Sequence, residues 1–262
     1  MAALAQVEDP RLVFKGGTML RVCGLPNYRY SEDLDFDWIS SPAGFHSVLA
    51  DALYKAVWSS GADLEMSFGR GPNPRILWCA EGHRGEINAE ATFLSRHYVP
   101  YRTWPIRANH PDIPPCPPIR GYELVSVMAD KLSAISRRAA PRDFYDLNCL
   151  LLAGVDIHAG WALYEAHHQH SEIQYGWRPH PSDIRASYLG RRARLFSRWD
   201  DLVQEGRLPA YPVHEAFNNV DGAVRAALDQ WKQRLPPGEL HRLKQEHIRQ
   251  RSGGGGSLDI GL

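Results

Sequence analysis

A chain of 262 residues with 44% apolar content can bury a sizeable core, as one large domain or two smaller ones. Its 30 basic and 30 acidic residues cancel, which argues against a protein that coats nucleic acid nonspecifically but leaves room for a local basic surface. The four cysteines (Cys23, Cys79, Cys116, Cys149) form no C-x-x-C pair, no apolar run approaches the roughly 18–20 residues that span a bilayer, and no signal-peptide core is seen. A reduced, cytoplasmic protein outside any membrane is expected.

Residues 1–13 are weakly patterned. The first informative stretch is Phe14-Lys15-Gly16-Gly17-Thr18-Met19-Leu20-Arg21. Two adjacent glycines let backbone approach a ligand closely, and Thr18 is expected to start a helix that packs Met19, Leu20 and Val22 onto a core. The bare N–H groups of such a helix favour an anion, phosphate for example. After a loop comes Ser31-Glu32-Asp33-Leu34-Asp35-Phe36-Asp37-Trp38. In a strand Asp33 and Asp35 leave one face while Leu34 and Phe36 enter the core. Their Cα atoms then lie roughly 7 Å apart, close enough for both carboxylates to share Mg²⁺.

Farther along, Phe45 to Trp58 carries apolar residues at helical spacing, closed by Gly61. Leu64–Phe68 and Arg75–Cys79 read as short strands around a turn-rich loop, and Glu86–Phe93 alternates Ile87, Ala89, Ala91 and Phe93 with Asn88, Glu90 and Thr92. Residues 99–119 are proline-rich, cannot hold a regular helix and are expected to cross between lobes. Gly121 then opens a helical pattern through Ile135, with Lys131 near the edge of its apolar face. Beyond residue 155, Ile157–Ala166, Ile184–Trp199, Val213–Ala216 and Val220–Leu235 read as helices. Arg185, Arg191, Arg192, Arg194 and Arg198 form a basic run with Tyr188, Phe196 and Trp199 nearby; it is either a solvated helix face or a place for RNA phosphates. His167, His168 and His170 have no paired cysteine or carboxylate at ligand spacing.

Lys15-Gly16-Gly17-Thr18 followed by Ser31-Glu32-Asp33-Leu34-Asp35-Phe36 resembles the nucleotidyltransferase-like toxins of the AbiEii/AbiGii (MenT-type) family, within the polymerase-β-type superfamily. Lys131-Leu132-Ser133-Ala134, then Arg137 and Arg138, then Arg142-Asp143-Phe144-Tyr145-Asp146-Leu147 resembles the family's second signature, so the resemblance covers roughly residues 12–155. It implies an α/β (α+β) fold with a nucleotidyltransferase lobe over 1–115; a helical C-terminal lobe over 116–250 is assigned by association with it, and the Gly/Ser composition of 251–262 marks a flexible tail. It further implies that Asp33 and Asp35 are metal ligands and catalytic. Glu90 matches the third carboxylate on a neighbouring strand, a base or a further ligand. The family more often has Lys where Asn88 stands. Lys131 and Asp143 line the cleft opposite the glycine turn. Lys15, Gly16, Gly17, Thr18, Arg21 and Ser31 would meet the nucleotide, and Asp146 is expected as a cap or ion-pair residue.

By resemblance the protein is the toxin of a toxin–antitoxin pair. With Mg²⁺ and a nucleoside triphosphate it would release pyrophosphate and modify an acceptor, the 3′ end of tRNA, arresting growth; a cognate antitoxin is the implied partner. Two alternatives stand beside this: the same chemistry on a protein or small molecule, and a binding module of the same fold that has lost catalysis.

Overall fold

The computed structural model describes residues 2–26, 28–31, 33–60, 63–68, 73–80, 82–94, 99–107, 117–175, 181–243 and 245. After a short helix α1 (Ala2–Ala5), strand β1 (Leu12–Lys15) runs straight into helix α2 (Gly16–Met19), which widens into a π-helical turn over Leu20–Gly24. Thr18 does not start this helix. The helical backbone begins at Gly16, and the Thr18 hydroxyl turns back to donate to the carbonyl of Asp33 at 2.6 Å. Next come β2 (Asp33–Ile39), α3 (Pro42–Ser60), β3 (Asp63–Phe68), β4 (Pro74–Ala80) and β5 (His83–Leu94). Gly61, expected to close α3, lies outside the described residues.

The proline-rich stretch supplies two further strands rather than only a crossing: β6 (Tyr101–Trp104), bounded by Pro100 and Pro105, and β7 (Ile119–Tyr122). Short edge strands tolerate prolines at their ends because no ladder donor is lost there. Gly121, expected to open a helix, sits in β7, where an added Cβ would come within 3.2 Å of the Phe14 carbonyl oxygen. The seven strands form one mixed sheet in the order β3-β4-β5-β2-β1-β7-β6. The β2–β5 and β1–β7 pairs are parallel, and the remaining pairs antiparallel.

Alternation along β2 sorts the sheet's two faces. Leu34, Phe36 and Trp38 are buried on the face covered by α3, where the Phe45 ring lies 5.9 Å from both Phe36 and Trp38 and 6.1 Å from Phe93. Each fully buried aromatic of this kind contributes roughly 1.5–3 kcal/mol through apolar burial. Asp33, Asp35 and Asp37 take the other face, toward the helical lobe.

That lobe starts at α4 (Leu124–Arg137), with α5 (Pro141–Leu152) directly after it; Pro141 suits the first turn of a helix, where its missing N–H costs nothing. α6 (Ile157–Tyr175) packs on α4. The stretch expected as a single helix over 184–199 is two, α7 (Ile184–Leu189) and α8 (Arg192–Gln204), parted at Gly190-Arg191. Conversely, the two segments expected after residue 213 are one helix, α9 (Val213–Arg234). Its apolar face packs on α5, where Phe144 and Phe217 stack at 5.6 Å.

Candidate active site

Register brings the site together on the sheet. Across the β1–β2 ladder Lys15 stands opposite Asp35, and across β2–β5 Asp33 stands opposite Asn88 and Asp35 opposite Glu90. Opposed residues share a face, so Lys15, Asp33, Asp35, Asn88 and Glu90 converge on one patch. Asn88 donates from its amide to Asp33 Oδ1 at 3.1 Å. With the Thr18 hydroxyl on its carbonyl, Asp33 is thus fixed through both backbone and side chain. Glu90 is exposed at the outer edge of the patch.

The glycine turn is packed rather than open. Gly16 has φ +75°, and a Cβ there would lie 2.1 Å from Asp35 Oδ2; a Cβ on Gly17 would lie 2.7 Å from Ser31 Oγ and 3.0 Å from Arg29 Nη2. Only glycine adopts that φ cheaply while letting a carboxylate lie against the backbone. The turn, Ser31 and Asp35 therefore form one contiguous surface.

Asp35 carries the electrostatic signature of the site. Burial pushes its carboxyl up to about 6; the nearby Lys15 and Lys131 oppose that shift, while the negative charges of Glu90 and Asp33 add to it. Neighbouring carboxylates raise one another in this way. Lys15 is shared between these carboxylates and Asp37: its ammonium is held by Asp37 Oδ1 at 2.7 Å and the Thr92 hydroxyl at 2.8 Å, and Asp37 also accepts a hydrogen bond from the Tyr122 hydroxyl. Burial pulls Lys15 down, but the charges of Asp37 and Asp130 outweigh it and the net shift is upward. Arg21 lies against the ring of Tyr30, 3.7 Å from its centroid, rather than on a carboxylate of the patch.

Opposite the sheet stands a buried ion network. Lys131 of α4 pairs with Asp143 Oδ1 at 3.1 Å and Asp146 Oδ2 at 2.7 Å, two carboxylates one turn apart on α5. Arg138 makes two bonds to Asp143 at 2.7 and 2.9 Å, and Arg29 makes two to Asp146 at 2.7 and 2.8 Å. Burial alone would raise both aspartates; Lys131 with Arg138 for Asp143, and Lys131 with Arg29 for Asp146, reverse it and hold both below the usual carboxylate range. Three cations against two anions leave the network one positive charge in excess, and Lys131 acts directly on Asp35.

The residues picked out in the sequence thus fall into two groups, one on the sheet face and one on α4 and α5, linked by Lys131 acting on Asp35 and by Arg29 beside Gly17. Sequence reasoning passed over Arg29, and named Asp37 and Arg138 within their motifs without giving either a role. Asp37 extends the period of Asp33 and Asp35 and was findable; Arg29 lies in an unpatterned loop, and its partner is 117 residues away. The basic run disperses: Arg185 pairs with Asp221 at 2.8 Å, Arg192 lies over Phe196 and Phe217, Arg198 faces Asp201 at 3.5 Å, and Arg191 donates to the Arg137 carbonyl at 2.8 Å. The side chains of His167, His168 and His170 lie outside the described residues, as does the tail over 251–262. Among the described residues no group of three or more His, Cys, Asp or Glu is arranged to hold a metal ion.

The family model described as nucleotidyl transferase AbiEii toxin, type IV toxin–antitoxin system, matches residues 1–244. The chain belongs to the AbiEii nucleotidyltransferase toxin family. The AbiEii chain is accordingly a nucleotidyltransferase, and membership implies a nucleoside triphosphate substrate and an antitoxin partner. Its fold is similar to that of MenT4, a nucleotidyltransferase toxin of Mycobacterium tuberculosis H37Rv, at 21% identity and TM-score 0.56, covering 86% of this chain and 89% of that one. It is also similar to JHP933 of Helicobacter pylori, at 16% identity and TM-score 0.53, covering 93% and 94% of the two chains. No curated protein matches the sequence significantly. No helix among the described residues is long and apolar enough to cross a membrane.

Proposed function

We propose that this AbiEii protein transfers a nucleotide from a nucleoside triphosphate to the 3′ end of tRNA in the cytoplasm, so blocking translation, with Asp33 and Asp35 as the Mg²⁺ ligands. The observation that carries this reading is Asp35, a carboxylate pushed up to about 6 by burial and by its acidic neighbours on a face aimed at Lys131. A divalent cation favours the ionised carboxylate that burial disfavours. Two carboxylates are also the donor set Mg²⁺ takes when substrate phosphates complete its shell. When bound, the ion would polarise the α-phosphate and offset developing charge.

The chain's own groups do the rest. Backbone N–H groups of Gly16, Gly17 and Thr18, with Ser31 beside them, receive the triphosphate. Lys131, fixed by Asp143 and Asp146, faces the charge that builds on the departing pyrophosphate; Lys15 acts from below, through the field it exerts on Asp35. The acceptor hydroxyl attacks the α-phosphorus in line, its proton passes to Glu90, and the bond to pyrophosphate breaks. Such transfer rests on positioning and charge stabilisation rather than a covalent nucleophile.

The test is transfer of label from each of the four α-³²P nucleoside triphosphates to total tRNA with Mg²⁺, in wild type and Asp33→Ala. Label that depends on Asp33 is the expected result. Label undiminished by the substitution would overturn the site, and label on protein or small molecules alone would replace the acceptor.

A further inference from the structure

Tyr30 is an exposed aromatic beside the proposed triphosphate cradle, and single exposed aromatics are ordinary. Three observations set this one apart. Its ring is 71% exposed, yet Arg21 backs it, with the guanidinium carbon 3.7 Å from the ring centroid and Nη1 donating to the Tyr28 carbonyl at 3.4 Å. Its backbone is anchored: the Tyr30 carbonyl accepts from Arg29 Nη1 at 2.9 Å, while the remaining Arg29 nitrogens grip the buried Asp146 that also holds Lys131. Its neighbour Ser31 closes over Gly17, with Oγ only 2.7 Å from where a Cβ would stand. The ring is therefore pre-positioned at the edge of the glycine turn by the same network that positions the catalytic lysine.

We infer that the outward face of Tyr30 stacks on the base of the incoming nucleotide, with Arg21 as the cationic backing of the opposite face. This rests on the reading that Gly16–Thr18 receive the triphosphate. Stacking on a ring reads no hydrogen-bond pattern, so Tyr30 favours the larger π-surface of purines over pyrimidines without choosing between adenine and guanine. A backed, anchored ring loses little freedom on binding, which is what makes such a platform effective.

Calorimetric titration of the full-length protein, with Mg²⁺ and without RNA, tests this with five probes: ATP, GTP, CTP, UTP and inorganic triphosphate. Tyr30→Ala should weaken the best-bound nucleotide by roughly 5- to 150-fold, the range of one base stacked on an aromatic ring. Affinity for inorganic triphosphate should stay at the wild-type value, and Tyr30→Phe and Tyr30→Trp should bind nucleotide as wild type does. Nucleotide binding unchanged in Tyr30→Ala would overturn the role of Tyr30 while leaving the cradle in place. Equal loss of nucleotide and inorganic triphosphate would make Tyr30 a structural residue of the loop. Wild-type protein that binds none of the five would overturn both this inference and the cradle beneath it.

Discussion

On the helical side of the cleft the buried charges meet partners: Lys131 lies between Asp143 and Asp146, each of which is bonded twice by an arginine. On the sheet side Asp33, Asp35 and Glu90 share one face, and Lys15 opposite Asp35 is bonded to Asp37 and Thr92. The first wall is complete as it stands. The second gathers carboxylates on one face, and burial, which the charges of Lys15 and Lys131 only partly offset, lifts Asp35 to about 6. A satisfied network holds geometry, whereas a destabilised cluster of like charges is where a ligand gains most by binding. The contrast separates substitutions that should unfold the protein from those that should only silence it.

The largest stability effect belongs to the satisfied wall. Asp146→Ala leaves Arg29 without a carboxylate in a buried site and Lys131 with Asp143 alone, and should cost about 3–5 kcal/mol. In a chain of this size each kcal/mol shifts the melting temperature by roughly 2–4 °C, so a fall of about 6–20 °C is expected by circular dichroism. An unchanged melting temperature would mean that the network is not formed.

The sheet wall should respond in the opposite direction. Because the Asp35 carboxyl is raised from 3.8 to about 6 on folding, the folded state holds a proton that the unfolded state gives up between those values. Ionised Asp35 therefore costs stability as pH rises through that window, and below pH 4 the cost is absent. Without divalent cation, Asp35→Asn should stabilise the protein by about 3 kcal/mol at pH 7.5 and leave it unchanged near pH 4, as read by urea denaturation. Asp143 and Asp146 carry the opposite sign: held below the usual range, they contribute stability above their unfolded values and lose it as pH falls through the folded ones. Destabilisation by Asp35→Asn at pH 7.5 would remove the claim that this wall is strained.

The smallest effect lies outside both walls. Arg198 and Asp201 form an exposed pair at 3.5 Å, and Arg198→Ala should change stability by less than about 0.5 kcal/mol.

Much of the sheet wall was legible because its signals are local. Two glycines, one of them at φ +75°, and a strand alternating aspartate with Leu34 and Phe36 need only neighbouring residues to be read. The α5 spacing that sets Asp143 and Asp146 on one face is local too. What could not be read was tertiary. Asn88 reaches Asp33 across 55 residues, Arg29 reaches Asp146 across 117, and Lys15 reaches Asp37 across the β1–β2 ladder and Thr92 across 77 residues. The break between α7 and α8 and the continuity of α9 were missed for a related reason. Packing of Tyr188 and Phe217 on Phe144 at 5.4 and 5.6 Å decides those helices more than propensity does.

The most direct measurement is a paired one, melting temperature and RNA labelling on the same preparations of wild type, Asp33→Ala and Asp146→Ala. Asp33→Ala should melt within a few degrees of wild type and lose labelling by about 10²-fold or more, the loss expected when one preorganised electrostatic group is removed. Asp146→Ala should melt far lower. If Asp33→Ala keeps its labelling, or if the two variants lose fold and activity in parallel, the division of the cleft into a working wall and a supporting wall is contradicted.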